Sequence, residues 1–299
     1  MRRHVVSVAL VLFVSALPVH LGAWGSDTHR ELTGLAISLL PDGLRPFFES
    51  RRAFVVEHSV DPDLWRLAGF DEEAPRHFLD MDGYGAPPFP GLPHEYDMAV
   101  QRYGREFVQR NGQLPWRLTE IYGNLVRAFE DVRKGVSPYA LENAAFYAAI
   151  LAHYVGDAHV PLHAVVNYDG QLTGQHGVHS RFESELPRRY RARLEVRPEP
   201  MAPVTSPRDF AFATAAESFA LAGPLLDADR EAIGDGTLYD DAYFDRFFTS
   251  AKPVLEKRMS QAAAAIAAVI AGAWEAAGSP AVPLETPRPV RARSVPAAR

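Results

Sequence analysis

Phe146, Ile150, His153 and Asp157 follow one another at spacings of four, three and four residues. On an α-helix such positions stack into one stripe, and the apolar half of this stripe must face a core. The same geometry carries a histidine and an aspartate inward. An inward carboxylate beside an inward imidazole is costly unless it is paired or metal-bound. Any fold open to this chain must bury that helix and bring partners to its polar end. Ser137-Pro138 supplies an N-cap and first-turn pair, so a helix is expected over residues 138–157. Gly156 and Pro161 are expected to break it and return His163 to the same space.

Helical apolar spacing recurs over residues 26–40, 93–110, 116–134, 207–222 and 243–249, and over the alanine-rich residues 252–277. Ser26-Asp27-Thr28 opens the first of these, and Pro41-Asp42-Gly43 closes it. Strand-like alternation is confined at best to residues 194–196. No repeat of fixed period is present. The expected fold is all-α, a single helical domain over residues 24–278. A chain of 299 residues, 47% of them hydrophobic, has ample material for its core. From Gly278 onward the Pro, Ala and Arg content marks residues 279–299 as a disordered tail.

At the other end, Arg2 and Arg3 precede an apolar run from Val5 to Leu17, followed by the small residues Gly22 and Ala23. That is the order of a secretory signal peptide. The run is 13 residues, short of the ~20 that a spanning helix needs. Residues 1–23 are therefore expected to be removed, leaving Trp24 at the amino terminus. The product would be secreted or periplasmic, with no integral membrane segment and no protein partner indicated. Residues 1–23 hold two arginines and no acid, so their loss moves the formal charge from −6 to −8. A net negative surface offers no footprint for gripping long nucleic acid, though it leaves room for a locally positive cleft. The chain has no cysteine. Any metal site must use His, Asp, Glu and backbone atoms, which favours zinc held by nitrogen and oxygen.

Such ligands accumulate. A single His153–Asp157 couple would read as a core ion pair, but five of the eleven histidines fall between residues 153 and 179. His179 and Glu183 repeat the four-residue spacing, which lets two side chains on one helix face reach one ion. His29 lies five residues after Trp24, and an exposed α-amine, with a pKa of about 8, can deprotonate and ligate. Asp61-Pro62-Asp63-Leu64-Trp65-Arg66 and Arg76-His77-Phe78-Leu79-Asp80 add further candidates. These are more ligands than one ion can use. His176, in a glycine-rich loop, reads as exposed. His58 and His94 show no partner in the sequence.

The N-terminal Trp24, the His153-x3-Asp157-x5-His163 motif and the closing His179-x3-Glu183 stand in the order of a known family. Over residues 24–183 the chain resembles the zinc-dependent phospholipase C and single-strand-specific nuclease superfamily of helical secreted enzymes. The resemblance implies three zinc ions in one cleft. Asp63, His77, His153 and Asp157 would hold one, and His163, His179 and Glu183 a second. The amine and carbonyl of Trp24, with His29 and the shared Asp157, would hold the third. Asp63 is preferred to Asp61 because Asp63-Leu64-Trp65-Arg66 is similar to the family's Asp-x-aromatic-Arg, and Asp61 remains the alternative. Asp157 would bridge two ions that activate a shared water, and Asp63 could accept its proton, making these two the candidate catalytic residues.

The substrate would be a phosphodiester, either a phospholipid head group or single-stranded nucleic acid. Glu183 as the last ligand and the absence of Gly-Gly-Asn in the 167–178 loop resemble the phospholipase C branch. The Trp24-to-His29 spacing and the run from Gly156 to His163 resemble the nuclease branch, which also has a non-ligand histidine at the place of His159, so the resemblance implies that His159 is supporting or exposed. The expectation is a phospholipase C-like hydrolase, with the nuclease as the alternative and a non-enzymatic zinc-binding protein as the third reading. Trp65, Tyr84, Phe89 and Tyr154 could stack a base or cradle a cationic head group, and none is assigned that role.

Overall fold

The computed structural model describes residues 24–285, so the signal peptide expected at residues 1–23 and the part of the expected tail beyond residue 285 lie outside the described residues. Helices run in the order α1 (Ser26–Leu39), α2 (Arg45–Ser50), α3 (Arg52–His58), α4 (Asp61–Leu67), α5 (Tyr96–Tyr103), α6 (Arg105–Arg110), α7 (Leu114–Lys134) and α8 (Ala140–Ala158). They continue with α9 (Val178–Ser180), α10 (Leu186–Tyr190), α11 (Pro207–Ile233) and α12 (Asp241–Ala276). A π-helical turn, Arg181–Glu185, joins α9 to α10. No strand occurs among the described residues, and residues 194–196 lack regular structure. The fold is all-α.

The four long helices α7, α8, α11 and α12 pack on one another, and α1 and α3 cover one side of α8. α12 is apolar around its whole circumference between Ala262 and Ala273 and is buried there, as expected of a central helix. It is long and apolar enough to cross a membrane, yet most of its apolar window is buried inside the protein. Alanines at 144, 145, 148, 149 and 152 give α8 a surface that its neighbours approach closely.

Several helix boundaries differ from the sequence expectation. Residues 93–110 form two helices rather than one, because Gly104 adopts φ 84 between them. α8 begins at Ala140, after a turn at Pro138. Pro253 does not separate two helices, and α11 runs on through Pro224. An internal proline costs a helix about 3 kcal/mol. Phe247, Phe248, Ala251 and Leu255 flank Pro253 and are all buried, as are Leu225 and Leu226 beside Pro224, so packing outweighs the lost hydrogen bond. The start of the supposed tail is also held. Trp274 Nε1 donates to Pro280 O at 2.8 Å, and Arg51 Nη1 to Leu284 O at 2.8 Å.

The strap before α11 shows how tightly α12 is packed. Val204 N donates to Ala268 O at 3.0 Å, and Val204 O accepts from Tyr122 OH at 3.1 Å. A methyl on Gly272 would sit 2.0 Å from Val204 O. Gly272→Ala is expected to destabilise the protein by about 1–3 kcal/mol, the usual cost of overpacking. The change should appear as a lower urea midpoint at unchanged slope.

Candidate metal centre

α8 carries His153 and Asp157, both fully buried. Contrary to expectation, Gly156 does not break this helix, which continues to Ala158. Gly156 instead makes room: a Cβ there would lie 3.1 Å from the His29 ring and 3.7 Å from Trp24 Cδ1. Its carbonyl accepts the Trp24 indole N–H at 2.9 Å. After α8 the chain turns at Val160, and a 3-10 turn, Pro161–Ala164, brings His163 back. That turn is pinned to the His77 segment by Leu79 N donating to His163 O at 2.9 Å.

Four imidazoles from four segments converge on the Asp157 carboxylate. His77 Nδ1 lies 2.9 Å and His153 Nε2 3.2 Å from Oδ2. His29 Nε2 lies 3.4 Å and His163 Nδ1 3.8 Å from Oδ1. Asp63, from α4, places Oδ1 3.9 Å from His77 Nδ1 and accepts Arg66 Nη2 at 3.2 Å. On the far side of His163, its Nε2 is 3.1 Å from His179 Nε2 and 3.6 Å from Glu183 Oε2. The π-helical turn that carries Glu183 is anchored through Arg181, whose Nε donates to Tyr243 OH at 2.9 Å and Nη2 to Asp229 Oδ1 at 3.0 Å.

Three groups of potential ligands result: His29, His153 and Asp157; Asp63, His77 and His153; and His163, His179 and Glu183. Within each, the ligand atoms lie within 4.8 Å of one another. His29 Nε2, Asp157 Oδ1, His163 Nδ1 and both Glu183 oxygens are buried without a hydrogen-bond partner. Glu183 Oε2 is 2.9 Å from His179 Nε2, but not in hydrogen-bonding geometry. Buried polar atoms are seldom left unsatisfied, and here the unsatisfied ones face each other in groups. These buried clusters can hold metal ions.

Titration of these groups is governed by burial and by their crowding together. Burial opposes charge on His153, but the adjacent Asp157 carboxylate overcomes it and pushes the imidazole up to about 9. Burial likewise opposes the Asp157 charge, and His153 with its neighbours holds that carboxyl well below its ordinary range. Burial pushes Glu183 up to about 8 and His179 down to about 4.

A cleft of about 210 Å³ opens onto the centre, lined by Asp63, Arg66, His77, Phe78, His163, Tyr168 and His179. None of the four aromatics considered from sequence lines it. Tyr84, Phe89 and Tyr154 are buried, and Trp65 lines another cavity. Phe78 and Tyr168 do line it, and no periodicity marked them. Phe78 follows the candidate ligand His77, and Tyr168 is set by the fold of its loop.

All eight candidate ligand side chains meet in these groups. Trp24 is buried beside them, its ring 6.0 Å from Phe182. Asp61 is turned away, bonded to His58 Nδ1 at 2.7 Å, so His58 has a partner after all. His94 also has company, its ring stacked on Phe212 at 3.9 Å. His159 is buried rather than exposed: Nδ1 donates to Val155 O at 2.7 Å, and its carbonyl accepts from Arg258 at 2.9 Å. His176 is exposed. No family model and no curated protein matches the chain.

Proposed function

We propose that the chain is an exported, zinc-dependent hydrolase of phosphodiester bonds, of the phospholipase C type. Asp157 is the observation that carries this reading. It is one buried carboxylate approached by imidazoles on both oxygens, which suits a bridge between ions. A purely structural zinc site closes around its ion, whereas Asp63, His77, His163 and His179 also line an open cleft. Asp63, His77, His153 and Asp157 would hold one zinc, and His163, His179 and Glu183 a second. His29 and Asp157, with the amine and carbonyl of Trp24, would hold a third. Zinc supplies Lewis acidity, polarising a phosphoryl oxygen and lowering the pKa of water to about 7.

The chain's own groups do the rest. Arg66 places a fixed positive charge at the cleft for the substrate phosphate. Asp63, between Arg66 and His77, is the nearest carboxylate in the cleft lining to take up a proton. Phe78, Leu162 and Tyr168 form an apolar wall that displaces water from the leaving group. The closing His179-x3-Glu183 supports the phospholipase C label. Phe78 and Tyr168 also favour a second reading, a single-strand-specific nuclease, since a base can stack on such faces.

Protein beginning at Trp24, loaded with zinc, is expected to hydrolyse an aryl phosphodiester and to stop when a chelator is added. It should release head groups from phosphatidylcholine and leave single-stranded DNA intact. Cleavage of the DNA would make it the nuclease. Bound zinc with no hydrolysis of any of the three substrates would leave a non-enzymatic zinc-binding protein.

A further inference from the structure

His77 turns its two ring nitrogens in opposite directions. Nδ1 faces the candidate ligands, 2.9 Å from Asp157 Oδ2 and 3.1 Å from His153 Nε2. Nε2 faces away, buried and without a hydrogen-bond partner. The carboxylate beside it is that of Glu73, whose Oε1 lies 3.8 Å away. His153 shows what a completed arrangement looks like: Nε2 faces Asp157, and Nδ1 donates to Ser59 O at 2.9 Å. Metal-binding histidines ordinarily give their second N–H to a carboxylate or carbonyl, which fixes the tautomer and the ring orientation.

Glu73 is itself 2% exposed, and a buried carboxylate needs a reason to be there. Two donors fix it. Tyr154 OH donates to Oε1, and Arg76 Nη1 donates to Oε2 at 2.7 Å. The Tyr154 oxygen in turn accepts from Arg117 Nε at 3.2 Å. Tyr154 directly follows His153 on α8, and its ring packs edge-on to His77, with centroids 5.8 Å apart. One network thus ties together the two segments that present His77 and His153. Glu73 lines a second cavity, of about 370 Å³, with Trp65, Phe70 and Arg117, and does not line the cleft. It lies outside the cleft and is not itself a member of any ligand group, though it stands beside His77.

We infer that Glu73 is a positioning residue for His77, accepting the imidazole Nε2–H and so aiming Nδ1 at the ion held with Asp63, His153 and Asp157. The inference rests on the zinc reading above. A gap of 3.8 Å is too long for a hydrogen bond, so the contact is one that closes as His77 engages its ion. Tyr154 and Arg76 keep the carboxylate in place for it.

Zinc alone is the probe. Wild-type protein, E73A, E73Q and Y154F, stripped of metal, are titrated with zinc against a chromophoric chelator, and the melting temperature of each metal-free form is recorded. E72Q, at the exposed neighbour, serves as the control. E73A is expected to weaken one ion about 10–100-fold while the others bind as in the wild type. E73Q keeps an acceptor oxygen without the charge and should fall between E73A and wild type. Y154F should show a smaller loss at the same ion. Unchanged zinc affinity in both Glu73 variants would overturn the assignment. So would an equal loss at every ion with a lowered metal-free melting temperature, the mark of a merely structural residue. A wild-type protein that takes up no zinc would defeat the functional reading itself, and E73A would then be silent for a different and recognisable reason.

Discussion

Asp157→Asn is expected to abolish hydrolysis and to lower bound zinc by more than a single ligand's share. The residue is fully buried, its two oxygens face different histidines, and Oδ1 has no hydrogen-bond partner. An amide keeps the shape but offers only one acceptor oxygen and no charge. Both ions that share Asp157 would be weakened together, and the cleft would lose its principal electrostatic organiser. The loss in kcat/KM on an aryl phosphodiester should reach about 10²–10³-fold or more, 10²–10³-fold being the scale seen when one preorganised electrostatic group is removed. Metal analysis reads the zinc, and circular dichroism checks that the helices remain. Unchanged zinc content and turnover would sink the bridging role.

Removing the metal should invert the response of stability to pH. Stability conferred by Glu183, raised from its ordinary 4.5 to about 8, is full below pH 4.5 and lost as the pH rises through 8. His153, raised from 6.5 to about 9, acts in the same direction above pH 6.5. His179 and His159, lowered from 6.5 to about 4 and about 3, act oppositely: their contributions are present above pH 6.5 and lost as the pH falls. Burial causes both of these depressions, and the Arg258 guanidinium adds to that of His159. His29 is lowered as well, chiefly by burial. Asp80, raised by burial to about 7, partly offsets the acid side.

Each group contributes a slope of about 1.4 kcal/mol per pH unit within its window. Between pH 4.5 and 6.5 the gains from His179 and His159 are matched by the losses from Glu183 and Asp80, leaving the gain from His29. Metal-free protein should therefore be most stable near pH 6.5, with a shallow fall on the acid side and a steep one on the alkaline side. Zinc binds deprotonated ligands, so the loaded protein should keep gaining stability toward pH 8. Each ion at a thousand times its Kd adds about 4 kcal/mol. Urea titrations at several pH values, with and without chelator, measure both curves. A metal-free maximum at pH 8 would contradict the assignment of Glu183 as a buried carboxylate awaiting a cation.

The pairs His153–Asp157 and His179–Glu183 were legible in the sequence because a helix repeats on a scale of four residues, so the spacing alone places both side chains on one face. The all-α class, the long helices α7 and α8 and the alanine-rich part of α12 were legible for the same reason, since apolar period is a local property. Local signals misjudged Pro224, Pro253 and Gly156. In each case burial of neighbours or the approach of another helix decided the outcome, and neither is written near the residue in question. Asp61 and Asp63 could be ranked but not separated by pattern. They part only because α4 turns one toward His58 and the other toward His77. Phe78 and Tyr168 in the cleft, and Glu73 behind His77, carried no periodic mark at all. Their roles depend on segments far apart in the chain being brought within a few ångströms, and only the packing of α1, α4, α8 and the turns after them does that.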